Sequence, residues 1–146
     1  MSLEENKTIV RRFFEVAWNE NKVSVLDEIY SVDNVHHFGN TPGPLGPSQL
    51  RTMIKMWRDA IPDYHAHIEN MIAEEDLVVT LLRFTGTHTG TGIFQIASRT
   101  VVPKNKQFGE MEIVIVRVAN GKIVESWATW DRLSFLEQLG VIANLA

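Results

Sequence analysis

The chain has 146 residues, 45% of them hydrophobic, and no cysteine. A core is possible without staples, and disulfides are excluded. The net charge of -4 argues against nucleic acid, whose phosphates select basic faces. No apolar run approaches the ~18–20 residues of a membrane span, and there is no secretory or transit signal. These properties predict one cytoplasmic domain over residues 1–146 with no membrane partner.

Ser2 stands three residues before Glu5, the spacing of a capping box. Ile9, Val10, Phe13, Phe14, Ala17 and Trp18 then recur at helical spacing, which predicts a helix to about Asn19. Val25, Leu26, Ile29 and Tyr30 predict a second, short helix, with a turn at Asp33-Asn34 and a short extended piece over Val35 to Phe38. Residues Gly39 to Pro47 include three Gly and three Pro and are expected to be irregular, as a rim beside a pocket. Ser48 suits the N-cap of a third helix carrying Leu50, Met53, Ile54 and Trp57 and ending before Pro62.

After Asp63 the pattern changes to period two. Strands are expected over Tyr64 to Ala73, Leu77 to Thr89, Ile96 to Pro103, Glu110 to Ala119 and Lys122 to Asp131. Gly90 and Gly92 open a loop after the second of these, and Asn120-Gly121 reads as a hairpin turn. Leu133, Phe135, Leu136 and Leu139 make a terminal helical turn or two, stopped by Gly140. Helices first and strands later imply an α+β domain in which the helices cover one face of a curved, mostly antiparallel sheet. Such a cone encloses an apolar interior, where small ligands bind.

The segments ENKTIVRRFFEVAWNE, WRDAIPDY, FTGTHTG, NGKIVESW and WDRLSFLEQLG, in this order, resemble the SnoaL-like polyketide cyclases over Glu4 to Gly140. That family lies in the nuclear-transport-factor-like superfamily with ketosteroid isomerases, scytalone dehydratases and limonene epoxide hydrolases. The resemblance implies a cone-shaped barrel, a homodimer or higher oligomer, and ring closure by aldol chemistry without metal or organic cofactor. It also implies an Asp as acid/base in the pocket. The chain departs from the family pattern between THTG and GKIVE. There Thr91 to Asn120 is longer than usual and carries IASRTVVPKNKQ, and Val114 stands where a polar residue is common.

Asp131 is the first candidate for chemistry. Alternation along the last strand groups Trp127, Thr129 and Asp131 on one face, and the resemblance turns that face inward. A carboxylate in an apolar cavity has its pKa raised toward a value useful for moving a proton to and from carbon. Asp131 also precedes Leu133-Ser134-Phe135 as a helix N-cap would, and the two roles are compatible. His88 and His37 are candidates for orienting a carbonyl or shuttling a proton, against the plainer reading of structural histidines. Glu112, inside an apolar strand, faces either water or the cavity, where it is a candidate substrate-binding residue that positions or polarises the oxygens.

Phe14, Trp18, Met53, Trp57, Tyr64 and Trp127 are candidate substrate-binding residues, with ordinary core as the alternative for each. His36-His37 and His65-x-His67 have metal-ligand spacing but lack a third ligand nearby in sequence, and no metal site is expected. Lys104, Lys106 and Arg99 read as a solvated turn. The function that follows is a lyase or isomerase step on a hydrophobic, carbonyl-bearing small molecule. A non-catalytic binding protein is the alternative from another class. An epoxide hydrolase is a further one, with Arg83, Arg99 and Arg117 available but no second inward Asp. The sheet face carrying Ile113, Ile115, Ala128 and Trp130 is expected to be covered by a second copy.

Overall fold

The computed structural model describes residues 1–38, 41–90, 94–96 and 99–143. The first helix, α1 (Leu3–Arg12), begins with the expected capping box: Glu5 N–H donates to Ser2 Oγ (3.1 Å), and Ser2 N–H donates to Glu5 Oε2 (2.6 Å). Past Arg12 the helix widens into a π-helical segment, Phe13–Asn19, closed by Glu20 N–H donating to the Glu15 carbonyl five residues back. The wider turn lets the consecutive Phe13 and Phe14 both point inward, alongside Ala17 and Trp18. Asn19 anchors the segment to the sheet: its amide donates to the Ala66 carbonyl (2.9 Å) and its Oδ1 accepts from Ala66 N–H (2.8 Å).

A 3₁₀ turn (Val23–Val25) leads to the short helix α2 (Leu26–Ile29), and the chain then enters β1 (Tyr30–Phe38) directly. The expected turn at Asp33-Asn34 is absent. Asn34 is fully buried inside β1, where its side-chain amide donates to the Ile123 carbonyl, so its polar groups are spent on the sheet. The Pro/Gly segment is also more regular than expected. β2 (Thr41–Pro44) pairs antiparallel with β1, as an edge strand tolerates proline. Helix α3 (Pro47–Ala60) is capped by Gly46 with Pro47 as its first residue, so Ser48 is already helical. Gly39 and Asn40 lie outside the described residues.

The remaining strands are β3 (His65–Glu74), β4 (Leu77–Thr87), β5 (Phe94–Ile96), β6 (Arg99–Val101), β7 (Gln107–Ala119) and β8 (Lys122–Trp130), followed by α4 (Arg132–Gln138). The strand expected over Ile96 to Pro103 is thus a small β5–β6 pair, and Thr91 to Ile93, Ala97 and Ser98 lie outside the described residues. The main sheet runs β2-β1-β8-β7-β4-β3. Every neighbour is antiparallel except β1 and β8, which run parallel. The expected α+β architecture is present, with a curved sheet that stays open between the edges β2 and β3. Register shifts in β1–β8, β3–β4 and β7–β8 bend it.

The turns follow their chemistry. Asn120 and Gly121 both have positive φ (51° and 75°), as the turn between β7 and β8 demands. Gly140 (φ 71°) ends α4. Gly90 has a different reason to be glycine: a Cβ there would sit 1.7 Å from the Asp59 carbonyl oxygen, where the chain passes under the end of α3. Val10, Leu26, Leu50, Ile54 and Ile61 from the helical layer meet Val78, Leu82, Val116 and Ile123 of the sheet in the core. Toward the open end of the sheet the layers separate and leave a cavity.

Candidate active site

The cavity has a volume of about 400 Å³ and lies between the concave face of the sheet and the helices. The π-helical segment supplies Phe13, Phe14 and Trp18, and α3 supplies Leu50, Met53, Met56 and Trp57. Its floor is the inward row of β7 and β8: Glu112 and Val114 on one strand, Ser126, Ala128 and Trp130 on the other. At one end the rings of Trp57, Phe84 and Phe135 pack around Trp130, with centroids 6.0, 5.4 and 5.3 Å away. At another corner Tyr64 packs on Trp18 (4.9 Å), and Arg58 donates to the Trp18 carbonyl (2.7 Å), fixing the end of the π-helical segment.

Six of the residues expected from sequence meet here: Phe14, Trp18, Met53, Trp57, Tyr64 and Glu112 all line the cavity. Glu112 is the carboxylate of the wall. It lines the cavity, and its side chain makes no hydrogen bond or ion pair among the described residues. Protein atoms surround it on the other sides, and this burial pushes its carboxyl up to about 7. Its charge in turn helps to hold the buried phenols of Tyr30 and Tyr64 above their ordinary value, after burial itself.

Asp131, His88, His37 and Trp127 do not line the cavity. The last strand faces the other way from the expectation: Ser126, Ala128 and Trp130 point inward, and Thr129 is exposed. The register with β7 requires this. Val114 lies opposite Ala128 and Ile113 opposite Thr129, and directly opposed residues share a face. Ala128 and Trp130 therefore do not belong to the outer face with Ile113 and Ile115.

Asp131 is exposed and caps α4, its Oδ1 accepting from Ser134 N–H at 2.9 Å. Trp127 is on the outer face, stacked on His37 (5.1 Å, 8° between planes). There His37 Nε2 lies 3.0 Å from Glu125 Oε1, and Arg117 bridges Glu125 and Asp76. His88 is buried just past the end of β4, its backbone held to Lys106 and Asn105, and burial lowers its imidazole pKa.

Sequence reading weighed His36 only as a metal ligand and missed it as a wall residue. It lies opposite Ser126 in the parallel β1–β8 pair, with Nδ1 2.8 Å from Ser126 Oγ, and it lines the cavity. Burial, and then the neighbouring His37, lower its pKa. Tyr30, Ser126 and Arg132 were also not anticipated as wall residues. Alternation on β1 separates His36 from His37, and only the register with β8 says which of the two is inside.

Among the described residues no three His, Asp or Glu side chains converge as metal ligands, and no helix is long and apolar enough to cross a membrane. His65 and His67 are neighbours on β3, with ring centroids 4.4 Å apart.

No curated protein matches the chain in sequence. Solved structures do match in fold. A proposed hydroxylase, AclR from Streptomyces galilaeus, superposes with a TM-score of 0.81 at 23% identity, over 99% of this chain and 87% of its own. A proposed SnoaL-like polyketide cyclase from Jannaschia sp. CCS1 gives 0.80 at 20% identity, over 95% and 94%. IdmH, a proposed polyketide cyclase from Streptomyces antibioticus, gives 0.75 at 26% identity, over 92% and 98%. The model of the SnoaL-like polyketide cyclase family matches residues 8–139, which include every residue lining the cavity, and the chain belongs to that family.

Proposed function

We propose that the chain is an acid/base enzyme acting on a hydrophobic, carbonyl-bearing small molecule, with Glu112 as the group that moves the proton. The observation that carries this reading is a carboxylate facing an apolar cavity with its pKa pushed to about 7. At neutral pH such a group is present both as carboxylate and as acid. It can accept a proton from the carbon next to a carbonyl and return it to another carbon or to a developing alkoxide. Those two transfers are what an isomerisation or an aldol-type ring closure needs, and neither calls for a cofactor. In this reading Glu112 takes the role expected of Asp131, which is exposed and is not among the residues lining the cavity.

The test is deuterium incorporation at the α-carbon of apolar ketones such as 2-tetralone, followed by NMR in D₂O. Wild type should accelerate exchange with a pH midpoint near that of Glu112, and Glu112→Gln should lower the rate by about 10²-fold or more. No acceleration by wild type would leave a binding protein of the same fold. The epoxide hydrolase alternative receives no support from Arg83 and Arg117, which pair with acids on the outer face.

We also propose that two copies associate through the outer sheet face, where Val35, Met111, Ile113 and Ile72 are exposed. A monomer by light scattering at micromolar concentration would refute that.

A further inference from the structure

The cavity has a second polar end that proton transfer at Glu112 does not use. It is built where β1 and β8 run parallel. His36 Nδ1 meets Ser126 Oγ at 2.8 Å, Ser126 Oγ donates to Asn34 Oδ1 at 3.4 Å, and Asn34 Nδ2 donates to the Ile123 carbonyl at 3.3 Å. The Tyr30 phenol lies beside Ser126. Asn34, Ser126 and Tyr30 are buried and His36 is half-buried, and His36, Ser126 and Tyr30 all line the cavity. A chain of this kind fixes the imidazole plane, since turning it breaks the bond to Ser126.

The two ends are separated by apolar floor. Ser126 lies opposite Val116, and Glu112 lies opposite Trp130, four residues further along β8. Four residues of strand span roughly 13 Å at the backbone, and the inward curvature brings the side-chain tips somewhat closer. Between them the opposed pair Val114 and Ala128 offers no hydrogen bond. Arg132, the cation of the wall, follows Trp130 by two residues and belongs to the Glu112 end. Among the described residues, Asn34, Ser126 and Tyr30 at the His36 end carry no charge at neutral pH, and burial lowers the His36 imidazole pKa from its ordinary value. With Ser126 Oγ donating to Asn34, His36 Nδ1–H donates to Ser126 and Nε2 carries the lone pair, so this end suits a hydroxyl that donates to it rather than an anion, whose burial there would lack a counter-charge.

We propose that His36 binds an oxygen at the far end of the substrate, so that the cavity selects elongated apolar molecules with two oxygen functions, one at each end. This rests on the reading of the cavity as the substrate site, with the reacting carbonyl at Glu112. His36 would thereby set the length of molecule accepted and the direction in which it lies.

The experiment is a ligand-side comparison by titration calorimetry. Estrone carries a ketone at one end of a rigid apolar frame and a hydroxyl at the other, and 3-deoxyestrone lacks only the hydroxyl. Wild type should bind estrone about three- to tenfold more tightly, the worth of one net hydrogen bond. His36→Leu should reduce that preference to less than twofold while still binding 3-deoxyestrone, and His36→Gln should retain part of it. Glu112→Gln should leave the preference unchanged. Equal affinity of wild type for both steroids, binding of neither, or a preference that survives in His36→Leu would each overturn the assignment. A preference lost in Glu112→Gln and kept in His36→Leu would also overturn it, while leaving proton transfer at Glu112 intact. Conversely, a failure of the ketone exchange test would not alter the hydroxyl preference.

Discussion

Replacing Glu112 by Gln should make the protein more stable at alkaline pH, and by an amount that the structure fixes. The carboxyl rises from 4.5 to about 7 on folding because burial penalises its charged form. At low pH both folded and unfolded states carry it protonated, and it contributes no penalty. As pH rises past 4.5 the unfolded chain releases the proton first, so the folded state loses ground. The loss levels off once pH has passed about 7 and the folded carboxyl has ionised too. A difference of this size corresponds to about 3 kcal/mol, most of it developed between pH 5 and pH 8. Gln has nearly the same shape and no proton to lose, so the variant should escape that loss. For a domain of this length the difference amounts to roughly 6–12 °C in Tm. The assay is thermal unfolding of both proteins across that pH range, and subtracting one curve from the other cancels every other titrating group. The gap should be small at pH 5 and widen to its full value by pH 8. Parallel curves would mean that Glu112 is solvated in the folded protein, and the acid/base reading would lose its basis.

Further perturbations separate packing from chemistry. Asp131→Ala should cost about 1 kcal/mol through loss of the α4 cap, seen as a small drop in Tm, with steroid binding unchanged; lost binding at unchanged Tm would return Asp131 to the cavity. Gly90→Ala should cost about 3 kcal/mol or more, because its Cβ meets the Asp59 carbonyl, backbone that no rotamer can move aside; a Tm within a degree of wild type would refute that close approach. Ala128→Phe should fill the floor between the two polar ends and abolish binding of both steroids while the circular dichroism spectrum stays the same. Binding that persists would put the ligand elsewhere.

The capping box at Ser2, the Asn120-Gly121 turn and the glycine stop at 140 were legible because each is local: a few adjacent residues carry both the signal and its cause. The aromatic and methionine residues of the wall were legible as a group, since helical spacing put Phe14 and Trp18, or Met53 and Trp57, on one side. What failed depended on register between distant strands. Alternation along β8 gives two faces but not which is inside, and the inward choice of Trp127 and Asp131 came from resemblance alone. Asn34 looked like a turn former because its partner, the Ile123 carbonyl, is 89 residues away. His36 and His37 are indistinguishable until β8 arrives beside them. The GTHTG segment was legible as a marker but not for its reason: Gly86 leaves room for Ile61 and Phe108, and Gly90 for the end of α3, so both glycines serve packing.

The parallel seam between β1 and β8 has a consequence for how the molecule is made. It joins segments about 90 residues apart, as the contact between His36 and Ser126 shows, and closing so long a loop carries an entropic cost that must be met before the contacts reward it. During synthesis the aromatic side chains of the first helical layer emerge long before the strand that completes their cover. The hairpin of β3 and β4 can form early from neighbouring sequence, whereas the chamber closes only when the last strand slides in between β1 and β7. The hollow is thus among the last parts of the protein to be completed, and a nascent chain halted before Ser126 would hold its oily wall open to whatever lies nearby.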